Sequence, residues 1–191
     1  MCMTSKKTAF EFRVPARRAR CFGWRAWLLL VAFGMSAKAE PTWSGVRAQI
    51  ARQWPAVPQM GTAELARRCE QPEAARPVVI DVRTRREFAV SHLPGALHAE
   101  TAREIFRLLA AQPGARPVVL YCSVGVRSSA LAEAVAAAGR PRVYNLQGSV
   151  FQWANEGRPL ERDGRPVSVV DPYNASRGRL LDAAHHPRPS S

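Results

Sequence analysis

The chain is predicted to fold as an α/β domain with a mainly parallel central sheet flanked by helices on both faces. Two observations carry this expectation. Pro77-Val78-Val79-Ile80 and Pro117-Val118-Val119-Leu120-Tyr121 are short, unbroken apolar runs, the pattern of strands buried on both faces of a parallel sheet. Segments with helical periodicity alternate with them, and that alternation implies crossover connections between parallel strands. Residues 75–80 and 115–120 nearly repeat, but the similarity stops after six residues. It marks two like strand entries, not a duplicated domain.

The elements follow in order. Val46, Ile50 and Trp54 share a helical face, so residues 43–54 read as a leading helix ended by Pro55 and Pro58. Thr62 is placed to cap a helix running to about Glu70. After the first buried strand, Thr84-Arg85-Arg86-Glu87 is a capping box that opens a short helix to about Val90. Pro94-Gly95 marks a turn and 96–98 a short strand. Thr101 to Glu104 forms a second capping box, with Ile105, Leu108 and Leu109 on one helical face. The second buried strand leads to a small-residue helix over 128–138, with Leu131 and Val135 facing inward and Gly139 as its stop. A strand over 143–146 and a helix over 149–155 complete the domain. From about Glu161 onward Pro, Gly, Arg, Ser and His dominate. This extension is expected to be partly disordered, with no order from His185 on.

The first 39 residues are a separate matter. They hold eight of the chain's 28 basic residues and one acid, Glu11. An apolar run of about a dozen residues follows, then Ala37-Lys38-Ala39, an A-x-A site. These are the three parts of a secretory signal peptide, and the run is too short to span a bilayer of ~30 Å. The expected organisation is a signal peptide over 1–39, a helix and linker over 40–58, the domain proper over 59–160 and an extension over 161–191. The mature product is expected in the periplasm or secreted, without stable membrane insertion. Beyond residue 39 the chain carries 20 arginines, no lysine and 14 acids, a net of +6. That excess suits small anionic substrates. No basic run interleaved with aromatics suggests nucleic acid. A monomer is the default.

Of four cysteines, Cys2 and Cys21 fall in the signal segment and leave Cys69 and Cys122. Two cysteines do not make a disulfide framework. Cys69 ends a helical stretch and reads as structural, with a resolving role toward Cys122 as the sharper alternative. Cys122 is the informative residue. It follows a buried strand directly, and Cys122-Ser123-Val124-Gly125-Val126-Arg127-Ser128 leads into a helix. Ligands of parallel α/β sheets bind beyond the carboxyl ends of the strands. Backbone N–H groups of such a loop converge, and the following helix N-terminus adds positive potential. Both favour a thiolate, the nucleophilic form of cysteine, and equally a persulfide anion. Gly125 permits the tight turn, and Arg127 adds charge.

Here the sequence resembles the rhodanese family. Ile80-Asp81-Val82-Arg83, with Glu87-Phe88 and His92-Leu93-Pro94-Gly95-Ala96, is similar to the family's first signature. Cys122 to Ser128 is similar to its active-site loop. Asn145-Leu146-Gln147-Gly148-Ser149, with Trp153 and Gly157-Arg158-Pro159, is similar to its closing signature. The resemblance implies a sulfurtransferase without metal or organic cofactor, taking sulfur from a small anionic donor such as thiosulfate or a persulfide. Thiol or cyanide would be the acceptor. It makes Cys122 the persulfide carrier, the amides of Ser123, Val124, Gly125, Val126, Arg127 and Ser128 its cradle, and Arg127 the residue that orders the loop and helps the donor bind. Asp81 and Arg83 would act behind the site, and His92 would shape a turn. Ser91 and Ser149 stand where the family often has Gly, and neither is expected to touch the cysteine loop. Arg127 is the loop's one charge, which argues against thiosulfate as the natural donor. Cys122 and Arg127 are spaced C-x4-R, one residue shorter than the C-x5-R phosphate cradle of cysteine phosphatases, which argues for sulfur over phosphate.

Two other readings stand beside this one: a binding module without catalysis, and a redox protein cycling a Cys69–Cys122 disulfide. The segment 167–181, with Pro172-Tyr173, is left open as a cover that places an aromatic at the site. His185-His186 reads as a solvated pair rather than a metal site.

Overall fold

The computed structural model describes residues 40–112 and 116–188. The expected signal segment lies outside them. The elements run α1 (Trp43–Gln53), β1 (Gln59–Met60), α2 (Thr62–Cys69), β2 (Val78–Asp81), α3 (Arg85–Val90), β3 (Leu97–His98), α4 (Ala102–Ala110), β4 (Val118–Tyr121), α5 (Val126–Ala137), β5 (Val143–Leu146), α6 (Ser149–Asn155), β6 (Leu160–Arg162), β7 (Arg165–Val167) and α7 (Ala175–Gly178). The main sheet has the order β1-β5-β4-β2-β3, and every pairing in it is parallel. The fold is α/β, as the alternation implied.

β2 and β4 lie side by side near the centre, with Val78 opposite Val118 and Asp81 opposite Tyr121. All eight of their residues are buried. Side chains alternate across a strand, and the core divides accordingly. Val79, Val119 and Tyr121 join Val46, Ile50, Leu65, Val150 and Phe151 on one face. Val78, Ile80, Val118 and Leu120 join Ile105, Leu109, Ala132 and Val135 on the other. Helices therefore cover both sides.

Both capping boxes form. Thr84 and Thr101 accept the N–H of Glu87 and Glu104, and each Glu reaches back to its cap. Thr62 is a correction. Gly61 holds the cap position of α2. The Thr62 hydroxyl instead donates to the Glu156 carboxylate at 2.7 Å, tying α2 to the end of α6. The inner face of α5 is Ser128, Ser129, Ala132 and Val135, while Leu131 is only half-buried. Small residues let that helix lie close against β4 and β5.

The extension over residues 160–188 is built, not loose. β6 and β7 pair as a hairpin through Asp163-Gly164, both at positive φ, the two-residue turn that matches strand twist. His92 exchanges backbone hydrogen bonds with Glu161 at 2.9 Å, which docks the hairpin on the domain. Val170, Leu180 and Leu181 then enter the α1–α6 face of the core. Order continues past His185, against expectation. His185 Nδ1 meets Ser168 O at 2.7 Å, and His186 Nε2 meets the carbonyls of Gly178 and Leu181 at 3.1 Å. The histidine pair fastens the chain to itself rather than standing in solvent.

Candidate active site

Cys122 comes directly after β4, at the carboxyl edge of the sheet, and is 1% exposed. The loop reverses at Gly125, whose φ is +105° and whose N–H donates to Cys122 Sγ at 3.2 Å. A Cβ there would lie 3.1 Å from both Asn145 Nδ2 and Ile50 Cδ1. Glycine is thus needed for space as well as for backbone conformation. Helix α5 begins at Val126, two residues before the expected start, because Gly125 itself serves as its cap. This puts Arg127 in the first turn and aims the Ser128 N–H back toward the sulfur. Val124 and Val126 join the apolar cluster on the α1 face.

Arg127 does not stand alone. Its Nη1 and Nη2 donate to Glu87 Oε2 and Oε1 at 2.9 and 2.7 Å, and Nη2 also donates to Ser123 Oγ at 2.9 Å. Ser123 in turn donates to Glu87 Oε1 at 3.2 Å. Glu87, 1% exposed, further accepts from the Thr84 N–H and hydroxyl. Burial works against its ionisation. The Arg127 and Thr84 hydrogen bonds outweigh that and bring its carboxyl down to about 2. Sequence reading placed Glu87 in a capping box and missed this second role. The one available signal was its place in the first signature.

At Cys122, burial also opposes the charged form. The Arg127 charge, the Ser128 hydroxyl and N–H and the Gly125 N–H prevail, and the thiol is held below its ordinary range. The Ser128 hydroxyl proton has a competing acceptor. It is given to Asn145 Oδ1 at 2.6 Å, and the Asn145 amide is oriented by donating to Gln59 Oε1 at 2.7 Å. The backbone N–H groups are therefore the donors always directed at sulfur. An anion seated among converging N–H groups, on a nucleophilic atom, suits a cysteine that works as a thiolate.

Ser149 departs from expectation. Its Oγ accepts the Cys122 N–H at 3.2 Å and donates to Leu146 O at 3.1 Å. It sits at φ +52°, a conformation that glycine adopts without strain. Here the two hydrogen bonds hold a serine in that conformation and fix the cysteine backbone from behind. Ser91 stays clear of the loop; its carbonyl accepts from Arg83 Nη2 at 2.5 Å.

Asp81 and Arg83 form a fully buried pair at 2.7 Å, and Asp81 Oδ1 also accepts the Arg83 N–H. The Arg83 guanidinium lies 5.9 Å from the Tyr121 ring centroid, and the Tyr121 hydroxyl accepts the Leu93 N–H at 3.0 Å. This network braces the end of β4 without reaching the sulfur. His92 stacks on Phe88 at 3.9 Å and holds the hairpin, a structural role.

Cys69 is a free, partly buried thiol. It ends α2 and shares a cavity wall with Val78 and Val79, at the start of β2. Cys122 follows the last residue of the neighbouring strand, about 13 Å away at ~3.3 Å per residue. Disulfides need Cα atoms within about 7 Å, and this placement of the two thiols argues against a Cys69–Cys122 redox pair. Burial raises the Cys69 thiol, with Arg76 opposing.

The extension does bring an aromatic to the site. The Tyr173 ring centroid lies 4.5 Å from Arg127 Cζ.

A family model described as the rhodanese-like domain matches residues 62–156. A sulfurtransferase of Allochromatium vinosum is 34% identical over 83 residues, 44% of this chain and 77% of that protein. The chain belongs to the rhodanese-like family. A second relative, the thiosulfate sulfurtransferase GlpE of Actinobacillus pleuropneumoniae, is 33% identical over 81 residues, 42% of this chain and 74% of its own. Among solved structures, a thiosulfate sulfurtransferase from Pseudomonas aeruginosa matches with a TM-score of 0.54 at 19% identity, over 72% of this chain and 27% of that one. That likeness concerns the rhodanese fold alone.

Proposed function

We propose that the protein is a sulfurtransferase that carries sulfane sulfur on Cys122. The observation that carries the reading is the Cys122 thiol, depressed in spite of full burial and facing the N–H of Gly125. The Cys122 thiolate attacks the outer sulfur of a donor. The S–S bond of the donor breaks, and its remainder leaves with the electron pair, sulfite from thiosulfate or a thiolate from a persulfide. The enzyme persulfide then gives its outer sulfur to a nucleophile, cyanide or a thiol, and the Cys122 thiolate is restored. The backbone N–H groups stabilise the negative sulfur in both states. Arg127, locked by Glu87 and Ser123, keeps the loop in the conformation that aims them. The same residues argue against a binding module, which has no use for a depressed, cradled thiol.

Export belongs to the same proposal. It rests on the basic segment, the short apolar run and the A-x-A site at 37–39. N-terminal sequencing of protein recovered from the periplasm should begin at Glu40.

The function is tested by treating the protein and its Cys122→Ala variant with thiosulfate, polysulfide or a thiol persulfide and weighing each intact. One added sulfur on the protein, none on the variant, and thiocyanate formation only by the former are expected. A folded, reduced protein that takes up no sulfur from any of these donors overturns the reading.

A further inference from the structure

The rim of the cysteine loop is closed by a residue no signature contains. Tyr173 is the one large apolar side chain well exposed among the described residues, at 45%. Its ring nevertheless sits over Arg127, on a guanidinium whose donors already point at Glu87 and Ser123. Its backbone is at φ +65°, which for a bulky residue persists only where the surroundings enforce it. They do so here. Asp171 Oδ1 accepts the Tyr173 N–H at 2.8 Å, and the Asn174 N–H donates to Pro172 O at 2.7 Å.

The segment carrying Tyr173 is fastened at both ends. Val170 is fully buried, and its N–H donates to His185 O. Asn155 Nδ2 donates to Leu180 O, and Arg177 reaches Gln49 on α1. The same segment supplies Asp171, which lies 3.5 Å from Arg86 on α3. Arg127 and Arg86 each face a carboxylate, Glu87 and Asp171. An aromatic ring lies over the Arg127 guanidinium, where a free anion would approach it.

We infer that Tyr173 is a specificity-determining residue that holds Arg127 away from compact inorganic dianions, so that the site takes its sulfur from a persulfide carried on an organic thiol. This deepens the sulfurtransferase reading and rests on it. Thiosulfate brings two negative charges and gains attraction only from a cation it can face directly. The persulfide group of an organic donor brings one negative charge or none and needs only the N–H cradle for its outer sulfur, and the donor offers a body that packs on an aromatic ring. Removing a cation–π contact of this kind should shift selectivity by roughly tenfold.

The test compares the full protein with its Tyr173→Ala and Tyr173→Phe variants in two ways. First, alkylation of Cys122 by iodoacetate and by neutral iodoacetamide is followed by peptide mass, which keeps Cys69 separate. The iodoacetate-to-iodoacetamide rate ratio should rise about tenfold in Tyr173→Ala and stay within about twofold of the parent in Tyr173→Phe, where the ring remains. Second, Cys122 loading is timed with thiosulfate and with the persulfide of 2-mercaptoethanol, which carries no charge beyond its persulfide group. The parent should prefer the persulfide, and Tyr173→Ala should shift the preference toward thiosulfate by a similar factor. An unchanged alkylation ratio in Tyr173→Ala, or a parent that loads from thiosulfate faster than from the persulfide, overturns the inference. If neither donor loads Cys122 in any variant, the sulfurtransferase reading itself fails, and the alkylation ratio still decides whether Tyr173 screens Arg127.

Discussion

Glu87→Gln removes the charge that holds the cysteine loop while keeping the shape of the side chain. Glu87 is buried, accepts five hydrogen bonds from Thr84, Ser123 and Arg127, and titrates at about 2 against an ordinary 4.5. The fold therefore favours its carboxylate, by roughly 3 kcal/mol at ~1.4 kcal/mol per pH unit of depression. This contribution is full above the unfolded-state value near 4.5 and is lost as pH falls through about 2. Urea unfolding of parent and variant at pH 7 should give a difference of about 3 kcal/mol. Near pH 3 the difference should shrink to about half of that. A difference below about 1 kcal/mol at pH 7, or one that does not narrow with acid, would refute the claim that an ionised Glu87 anchors the loop.

The other predictions concern the same loop. Arg127→Gln should raise the Cys122 thiol, seen as a shift of the iodoacetamide rate profile to higher pH; an unmoved profile would mean the N–H groups suffice. Gly125→Ala should cost about 1–3 kcal/mol in unfolding experiments, because of its positive φ and the contacts its Cβ would meet. It should also lower the yield of persulfide. Ser149→Ala should cost about 1–2 kcal/mol through the lost hydrogen bonds, and Ser149→Gly less, since glycine accepts the backbone conformation. Cys69→Ser should leave sulfur loading intact by mass spectrometry, given its distance from Cys122.

Much of the architecture was legible because it is local or periodic. The apolar runs at 78–80 and 118–120 and the capping boxes at Thr84 and Thr101 each depend on neighbours within a few residues. The Asp163-Gly164 hairpin was legible in principle, since an Asp-Gly pair between Leu160 and Val167 is a recognised turn signal. The compositional bias of the tail obscured it. What could not be read was tertiary. Glu87 meets Arg127 across 40 positions, Ser149 meets the Cys122 backbone across 27, and neither spacing leaves a pattern in the chain. The His185-His186 pair was misjudged for the same reason: its acceptors are backbone carbonyls, which have no residue identity to recognise. The aromatic at 173 was foreseeable only as an open possibility, since its place depends on the route of the whole extension.

The anchoring of Val170, Leu180 and Leu181 sets the tempo at which the site opens. Peeling the segment from the domain would expose three buried aliphatic side chains, at ~1.5–3 kcal/mol each, so at least about 5 kcal/mol. Such a state would be held by on the order of one molecule in several thousand. Rotation of an exposed tyrosine about its own side-chain bonds needs only picoseconds to nanoseconds. Access to Arg127 is therefore governed by a single swinging ring on a fixed post. It should not slow when solvent viscosity is raised enough to damp the motion of whole segments.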